Sequence, residues 1–265
     1  MKLEVIRANP AGNITLFVKT PVEKADRAPL AEKLLAIEEF AAEQVGYYCE
    51  AGEGFDGHME MAGGEFCGNA SRAYGFLIAQ EKGLKGKVHL TLDVSGSDVP
   101  VEVDADMDEG TARASMPLPQ FVKPAVAGGE EGVLVHLGGI AHFVVTDVEP
   151  TEEFFDKAET EIFKDMKELD AYGVMFSDSE TGRLTPLVKV PAANSLYWEG
   201  SCGSGSLATA IAETEGMPDG DYAIDLVQPA GTVRAEVSRC NGEVKKAFIG
   251  GNISIDPSTY IDIVI

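Results

Sequence analysis

The amino-acid sequence predicts an α/β chain built as two copies of one plan, and three observations carry that expectation. Strand-like alternating runs are interleaved with amphipathic helical periods, and the same order of elements occurs in each half. Each half holds one cysteine–glycine turn that opens a helix, at Cys67-Gly68-Asn69 and at Cys202-Gly203-Ser204-Gly205. Each of those helices leads, at a closely similar distance, to a hairpin glycine, Gly110 in the first half and Gly242 in the second.

Taken in order, the first half opens with a strand over 3–6, a turn at Asn9-Pro10-Ala11-Gly12-Asn13 and a strand over 14–19. A helix is expected over 29–43, where Leu30, Leu34, Leu35, Ile37 and Phe40 recur between charges. Strands over 45–49 and 58–61 precede the first Cys-Gly turn, whose helix runs over 70–80 and stops near Gly83. Strands over 88–94 and 99–106 lead through Glu109-Gly110 to a strand ending at Met116. The second half repeats this with strands over 133–137 and 142–146, a helix over 152–169, and strands over 173–176 and 187–190. The second Cys-Gly turn opens a helix that stops at Gly216. Strands over 223–226 and 233–237 follow, and Asn241-Gly242 closes a hairpin onto 244–249. Two lobes result, 1–120 with the first cysteine and 121–252 with the second. The boundary is placed in the proline-containing stretch 117–129, and the run over 253–265 is expected to pair back onto the first lobe.

Composition narrows the function. Of 265 residues, 45% are hydrophobic and 25% charged, as in a soluble globular protein. The formal net charge of -23, from 44 acidic against 21 basic side chains, argues against nucleic-acid and anionic-membrane partners. The opening Met1-Lys2-Leu3-Glu4-Val5-Ile6-Arg7 lacks the apolar core of a signal peptide, and no apolar run approaches the roughly 18 to 20 residues of a membrane span; a cytoplasmic protein is expected. Four cysteines without Cys-x-x-Cys spacing fit neither a disulfide scaffold nor a zinc site. His58, His89, His136 and His142 show no ligand spacing, so no metal is expected; Cys49 and Cys240 have no counterpart in the repeat and read as structural.

The two Cys-Gly turns carry the chemistry. A helix start gathers free N–H groups and positive potential, which lower a thiol's pKa and hold a carboxylate. A single cysteine there is ordinarily a small buried residue. Two at the same register of a repeated plan fit a reaction in which one thiolate removes an α-proton and the other thiol returns a proton to the opposite face. Opposed helix ends would stabilise the developing charge on an amino-acid carboxylate. That chemistry needs no cofactor, and two thiols at one small site would require a reductant.

These residues resemble a known family. Cys67-Gly68-Asn69-Ala70-Ser71-Arg72 and Cys202-Gly203-Ser204-Gly205 look like the two active-site motifs of diaminopimelate epimerase, and Gly12-Asn13 with Phe17 resembles that family's N-terminal segment. The resemblance implies two pseudo-symmetric lobes, each a β-barrel-like sheet around a central helix, with the active site in the cleft between them and a possible homodimer. It implies Cys67 and Cys202 as the two bases, and the backbones of Gly68, Asn69, Gly203 and Ser204 as the carboxylate cradle. Asn13 and Gln44 would contact substrate. His142, in Gly139-Ile140-Ala141-His142, would assist Cys67, though a buried core histidine fits the position as well. Glu199 or Asn194 would assist Cys202. The Glu-Arg pair that grips the distal group of diaminopimelate is not recognisable before Cys202, so a variant branch acting on another amino acid, such as histidine racemase, is expected.

Other readings stay open. Diaminopimelate epimerase itself is the nearest. A non-catalytic amino-acid binding protein would keep the cradle without needing the thiols. Gly203-Ser204-Gly205-Ser206-Leu207-Ala208, with Asp225 beyond it, also fits a dinucleotide fingerprint, which requires a parallel βαβ unit around it.

Overall fold

The computed structural model describes residues 1–263; the last two residues of the 253–265 run lie outside the described residues. The chain is mixed α/β and predominantly sheet. It divides into two compact units, Met1–Ser115 with Gly250–Ile265, and Met116–Ile249.

In the first unit β1 (Lys2–Asn9) pairs antiparallel with β2 (Thr15–Val18). Helix α1 (Lys24–Leu35) then crosses over to β3 (Gln44–Cys49), which lies parallel to β2 and antiparallel to β4 (Gly57–Met61). Helix α2 (Gly68–Glu81) makes the next crossover, to β5 (Lys87–Val94), parallel to β4. β6 (Val101–Asp106) and β7 (Thr111–Ser115) complete an antiparallel meander. All four residues of β2 are buried, as expected of a strand covered on both faces. Leu30, Leu34 and Phe40 pack on one side with Leu3, Val5 and Leu16; Ala73, Tyr74 and Leu77 of α2 pack on the other with Phe17, Met59 and Val103.

Helix α2 is apolar or small nearly all round, and it is buried from Gly68 to Leu77. Its contact with β6 is close: a Cβ at Gly75 would lie 2.7 Å from Val103 Cγ1. No larger residue fits there without moving the strand.

The second unit opens with β8 (Phe121–Ala127), β9 (Glu130–His136) and β10 (Ile140–Thr146), all antiparallel. Helix α3 (Glu152–Glu161), capped by Thr151 Oγ1 accepting from Phe154 N at 3.2 Å, crosses over to β11 (Ala171–Ser177), parallel to β10. β12 (Leu184–Val190) and β13 (Ser195–Trp198) extend the sheet. Helix α4 (Gly203–Glu213) leads to β14 (Gly220–Gln228) and β15 (Gly231–Cys240), an antiparallel pair, and then to β16 (Glu243–Asn252). Asn241 and Gly242, both at positive φ (54° and 74°), form the hairpin between β15 and β16. The chain re-enters the first unit, where β17 (Ser254–Ile255) and β18 (Thr259–Asp262) pair antiparallel with β1.

The element order therefore recurs: strand pair, helical crossover to a parallel strand, antiparallel return, Cys-capped helix, antiparallel pair. Even the parallel β4–β5 ladder has a trace in the second unit, a single parallel bridge between Arg183 and Val227.

Four local expectations differ. Helix α1 begins at Lys24 and encloses Pro29, losing one backbone bond, and it ends at Leu35; Phe40 reaches the core from a separate 3-10 turn that ends with Ala41 at positive φ. The apolar period ran through both pieces and concealed the break. Helix α3 stops at Glu161 rather than 169, because Phe163 turns inward from its own 3-10 turn to stack on Tyr172 at 4.7 Å. The 117–129 stretch contains an unexpected strand, β8. It lies at the sheet edge, where Pro124 opposite Val133 costs no central ladder bond. β13 was also unexpected. The dinucleotide reading fails on topology: α4 leads into an antiparallel pair, not a parallel βαβ unit. No helix among the described residues is long and apolar enough to cross a membrane.

Candidate active site

Cys67 and Cys202 occupy the same position in their two helices, atom for atom. Each is the N-cap residue in an extended conformation, with φ −133°, ψ 110° at Cys67 and φ −107°, ψ 110° at Cys202. Each Sγ accepts from the backbone N–H three residues on, Ala70 at 3.4 Å and Gly205 at 3.3 Å. Each cysteine carbonyl accepts from a serine hydroxyl four residues on, Ser71 at 2.8 Å and Ser206 at 2.6 Å. Sulfur caps where an oxygen is usual. The N–H groups of Gly68 and Asn69, and of Gly203 and Ser204, lie in the first turn, where a helix offers donors to an anion.

In the first unit the turn before β2 and the start of β3 close around Cys67. Asn13 Oδ1 lies 3.9 Å from Cys67 Sγ and accepts from Gln44 Nε2 at 2.7 Å; that amide also reaches Thr15 Oγ1 at 2.8 Å. Asn13 Nδ2 donates to Glu43 Oε2 at 2.8 Å. Asn13, Gln44, Cys67, Gly68 and Asn69, all expected in the site, are thus brought together. Behind them lies Arg72, fully buried, with Nε donating to Asn69 Oδ1 at 3.1 Å and Nη2 to the Pro10 carbonyl at 3.0 Å.

In the second unit Cys202 is buried, and its backbone N–H donates to Gln228 Oε1 at 2.7 Å. Gln228 Nε2 in turn donates to Ser206 Oγ at 2.8 Å, so one buried amide braces both ends of the cap. Ser204 Oγ sits 3.6 Å from Cys202 Sγ and 2.9 Å from His142 Nε2. The structure therefore groups His142 with Ser204 and Cys202 on this unit. Its Nδ1 is enclosed without a partner, and burial pushes its pKa down to about 3, so the ring is neutral. An enclosed lone pair costs less than an enclosed N–H. The favoured tautomer donates from Nε2 to Ser204, leaving that hydroxyl free to donate to sulfur.

The expected lowering of the thiol pKa values is corrected by the structure. Burial raises Cys67, and the N–H groups of Ala70 and Asn69 with the Gln44 amide only partly offset it. Burial raises Cys202 further, with the Glu199 carboxylate adding to the effect and Ser204 opposing it. Desolvation outweighs the helix end, and both groups rest as thiols. Glu199, expected as a helper, bears directly on Cys202; Asn194, its alternative, is exposed at a left-handed turn position.

Sequence reasoning missed Thr15, Glu43, Arg72 and Gln228 as parts of these surroundings. Arg72 had a signal: it is the single charge within an otherwise small and apolar run of α2. Elsewhere, Cys49, His58 and Glu60 bring one possible ligand atom each within 4.8 Å of one another. Arg27 already reaches both Glu60 and Cys49 with its guanidinium, so a cation is in place without a metal.

A family model described as the histidine racemase CntK N-terminal domain matches residues 2–259. A histidine racemase of Fusobacterium nucleatum subsp. nucleatum is 32% identical over 214 residues, covering 78% of each chain. One from Staphylococcus aureus is 26% identical over 260 residues, 95% of this chain and 94% of its own. Among solved structures, a predicted epimerase from Pseudomonas aeruginosa superposes with a TM-score of 0.67 at 10% identity over the whole of both chains. A hydroxyproline epimerase from Agrobacterium vitis does so with 0.64 at 12% identity, over 98% of this chain and 92% of its own.

Proposed function

The chain belongs to the histidine racemase family and is an amino-acid isomerase, and we propose on that premise that it interconverts L- and D-histidine without a cofactor, using Cys67 and Cys202 as its two bases. The observation that carries the mechanism is the atomic identity of the two thiol caps. A cap needed only for structure is ordinarily an oxygen side chain, and here sulfur takes that place in both halves. In a two-base inversion each thiol must act in turn as acid and as base, so equivalent settings are what the chemistry asks for.

In one direction the Cys67 thiolate takes the α-proton and the Cys202 thiol gives its proton to the opposite face of the carbanion. The reverse reaction exchanges the roles. First-turn N–H groups at Gly68, Asn69, Gly203 and Ser204 hold the carboxylate, onto which charge moves as the α-carbon is deprotonated. Asn13 and Gln44 orient substrate and thiol, Glu199 accepts the Cys202 proton when that group must ionise, and His142 fixes the Ser204 hydroxyl. A barrel-like sheet around each of α2 and α4 is supported by the burial of α2 from Gly68 to Leu77 and of α4 from Gly205 to Ile211. The four free cysteines fit a reducing, cytoplasmic compartment.

The test is α-proton exchange in D2O, followed by NMR over L- and D-amino acids including histidine and diaminopimelate, with reduced wild type beside Cys67→Ser and Cys202→Ser. Deuterium entering histidine, with inversion abolished by either substitution, is the expected result. Inversion that survives loss of one thiol would refute the two-base assignment, and exchange into a different amino acid would refute the substrate.

A further inference from the structure

We propose that Arg72 is the positioning residue of Cys67: its guanidinium, buried without a carboxylate partner, locks the turns around the thiol and supplies the positive charge that stabilises the thiolate. The inference rests on the reading of Cys67 as a proton-transferring group.

Arg72 is fully buried, and each contact it makes is with a neutral oxygen: Asn69 Oδ1 at 3.1 Å, the Pro10 carbonyl at 3.0 Å and the Asn252 carbonyl at 3.4 Å. Among the described residues no carboxylate forms an ion pair with it. The other deeply buried arginine, Arg239, does reach one, Glu215 at 2.9 Å. A guanidinium taken out of water and left with neutral acceptors is costly, and an anion beside it offsets part of that cost. The anion within range is Cys67, whose charge favours protonated Arg72 as burial opposes it.

The three contacts also say what the fork holds. Asn69 lies in the first turn of α2, beside the cysteine. Pro10 belongs to the turn that carries Asn13, whose Oδ1 faces Cys67 Sγ. Asn252 ends β16, where the chain has returned to the first unit. One planar group therefore ties three separate segments at fixed angles, which the single ammonium of a lysine cannot reproduce.

The experiment measures iodoacetamide alkylation of Cys67 against pH by peptide mass spectrometry, with Cys202 in the same protein as the internal reference. Arg72→Met removes the charge and keeps much of the volume; Arg72→Lys keeps the charge and loses the fork. The Cys67 midpoint is expected to rise by one pH unit or more in Arg72→Met, giving about tenfold slower alkylation below the midpoint, and to stay within half a unit in Arg72→Lys. The Cys202 profile should not move. A folded Arg72→Met with an unmoved Cys67 midpoint, or with both cysteines shifted alike, overturns the proposal. If Arg72→Met does not fold, Arg72→Lys decides: a midpoint raised as far as one unit with the charge retained refutes the electrostatic role. Racemisation that survives Cys67→Ser, beside a Cys67 midpoint that follows Arg72, would sink the catalytic reading and leave this one standing.

Discussion

His142 makes the second unit acid-sensitive by an amount that can be worked out. The ring is fully buried, and its pKa falls from an ordinary value near 6.5 to about 3 because burial disfavours the imidazolium. A histidine depressed in this way contributes stability that is present above the unfolded pKa. That stability is lost as pH falls, because the unfolded chain takes up a proton the folded chain refuses. Between pH 6.5 and 4.5 the loss amounts to about 2 kcal/mol, since full protonation of the unfolded state is worth roughly 1.4 kcal/mol per pH unit and the first unit is only partly used. The control is His142→Gln, whose amide can still donate to Ser204 Oγ but does not titrate. Urea unfolding at the two pH values, read by the fluorescence of the chain's single tryptophan, Trp198 on β13 of the same unit, measures the difference. Other titrations cancel in that comparison. His136, lowered by burial, has the same sign in both proteins, and His89, raised chiefly by its hydrogen bond to Asp104, has the opposite sign in both. Wild type should lose about 2 kcal/mol more than the variant on acidification. Equal losses would mean that His142 is hydrated or ionised in the folded protein, and the neutral Nε2–H relay to Ser204 would fall with it.

Three further outcomes follow from the same geometry. Glu199→Gln removes the charge that, after burial, most raises Cys202, so the Cys202 alkylation midpoint should move down while turnover falls by about 10²-fold or more; a midpoint that stays put would detach Glu199 from the thiol. Gly205→Ala places a Cβ 2.2 Å from Met175 Sδ and 3.1 Å from Cys202 Sγ, and should cost about 1–3 kcal/mol in urea unfolding together with most of the activity, since the methionine can swing aside but the capped sulfur cannot. Gly96→Ala combines a positive φ of 71° with a Cβ 2.2 Å from the Phe66 backbone nitrogen, one residue before Cys67; thermal denaturation should show a clear loss of about 2 kcal/mol or more, and a wild-type melting curve would refute the close approach.

What could be seen in the sequence, and what could not, divides by the range of the interactions involved. The thiol caps were legible because each is written within four residues: a cysteine, the N–H three positions on and the serine four positions on all belong to one turn of helix. The strands of the repeat were legible for the same reason, since alternation over a few residues expresses one buried face. The ends of α1 and α3 were not, because Phe40 and Phe163 keep the helical period while leaving the helix, and only the core they enter distinguishes the two conformations. The partners that complete the site were further still from view. Arg72 reaches carbonyls 62 and 180 residues away, Gln228 reaches the Cys202 amide across 26, and Gln44 reaches Asn13 across 31. The sign of the thiol shifts was misjudged on the same account. The helix end, which the local sequence shows, lowers a thiol pKa, whereas the desolvation that overrides it is supplied by the surrounding fold. A cysteine raised in this way is a poor base at rest, which is why the charges beside the two thiols, Arg72 at the end of the first motif and Glu199 ahead of the second, are where the control of the reaction should be sought.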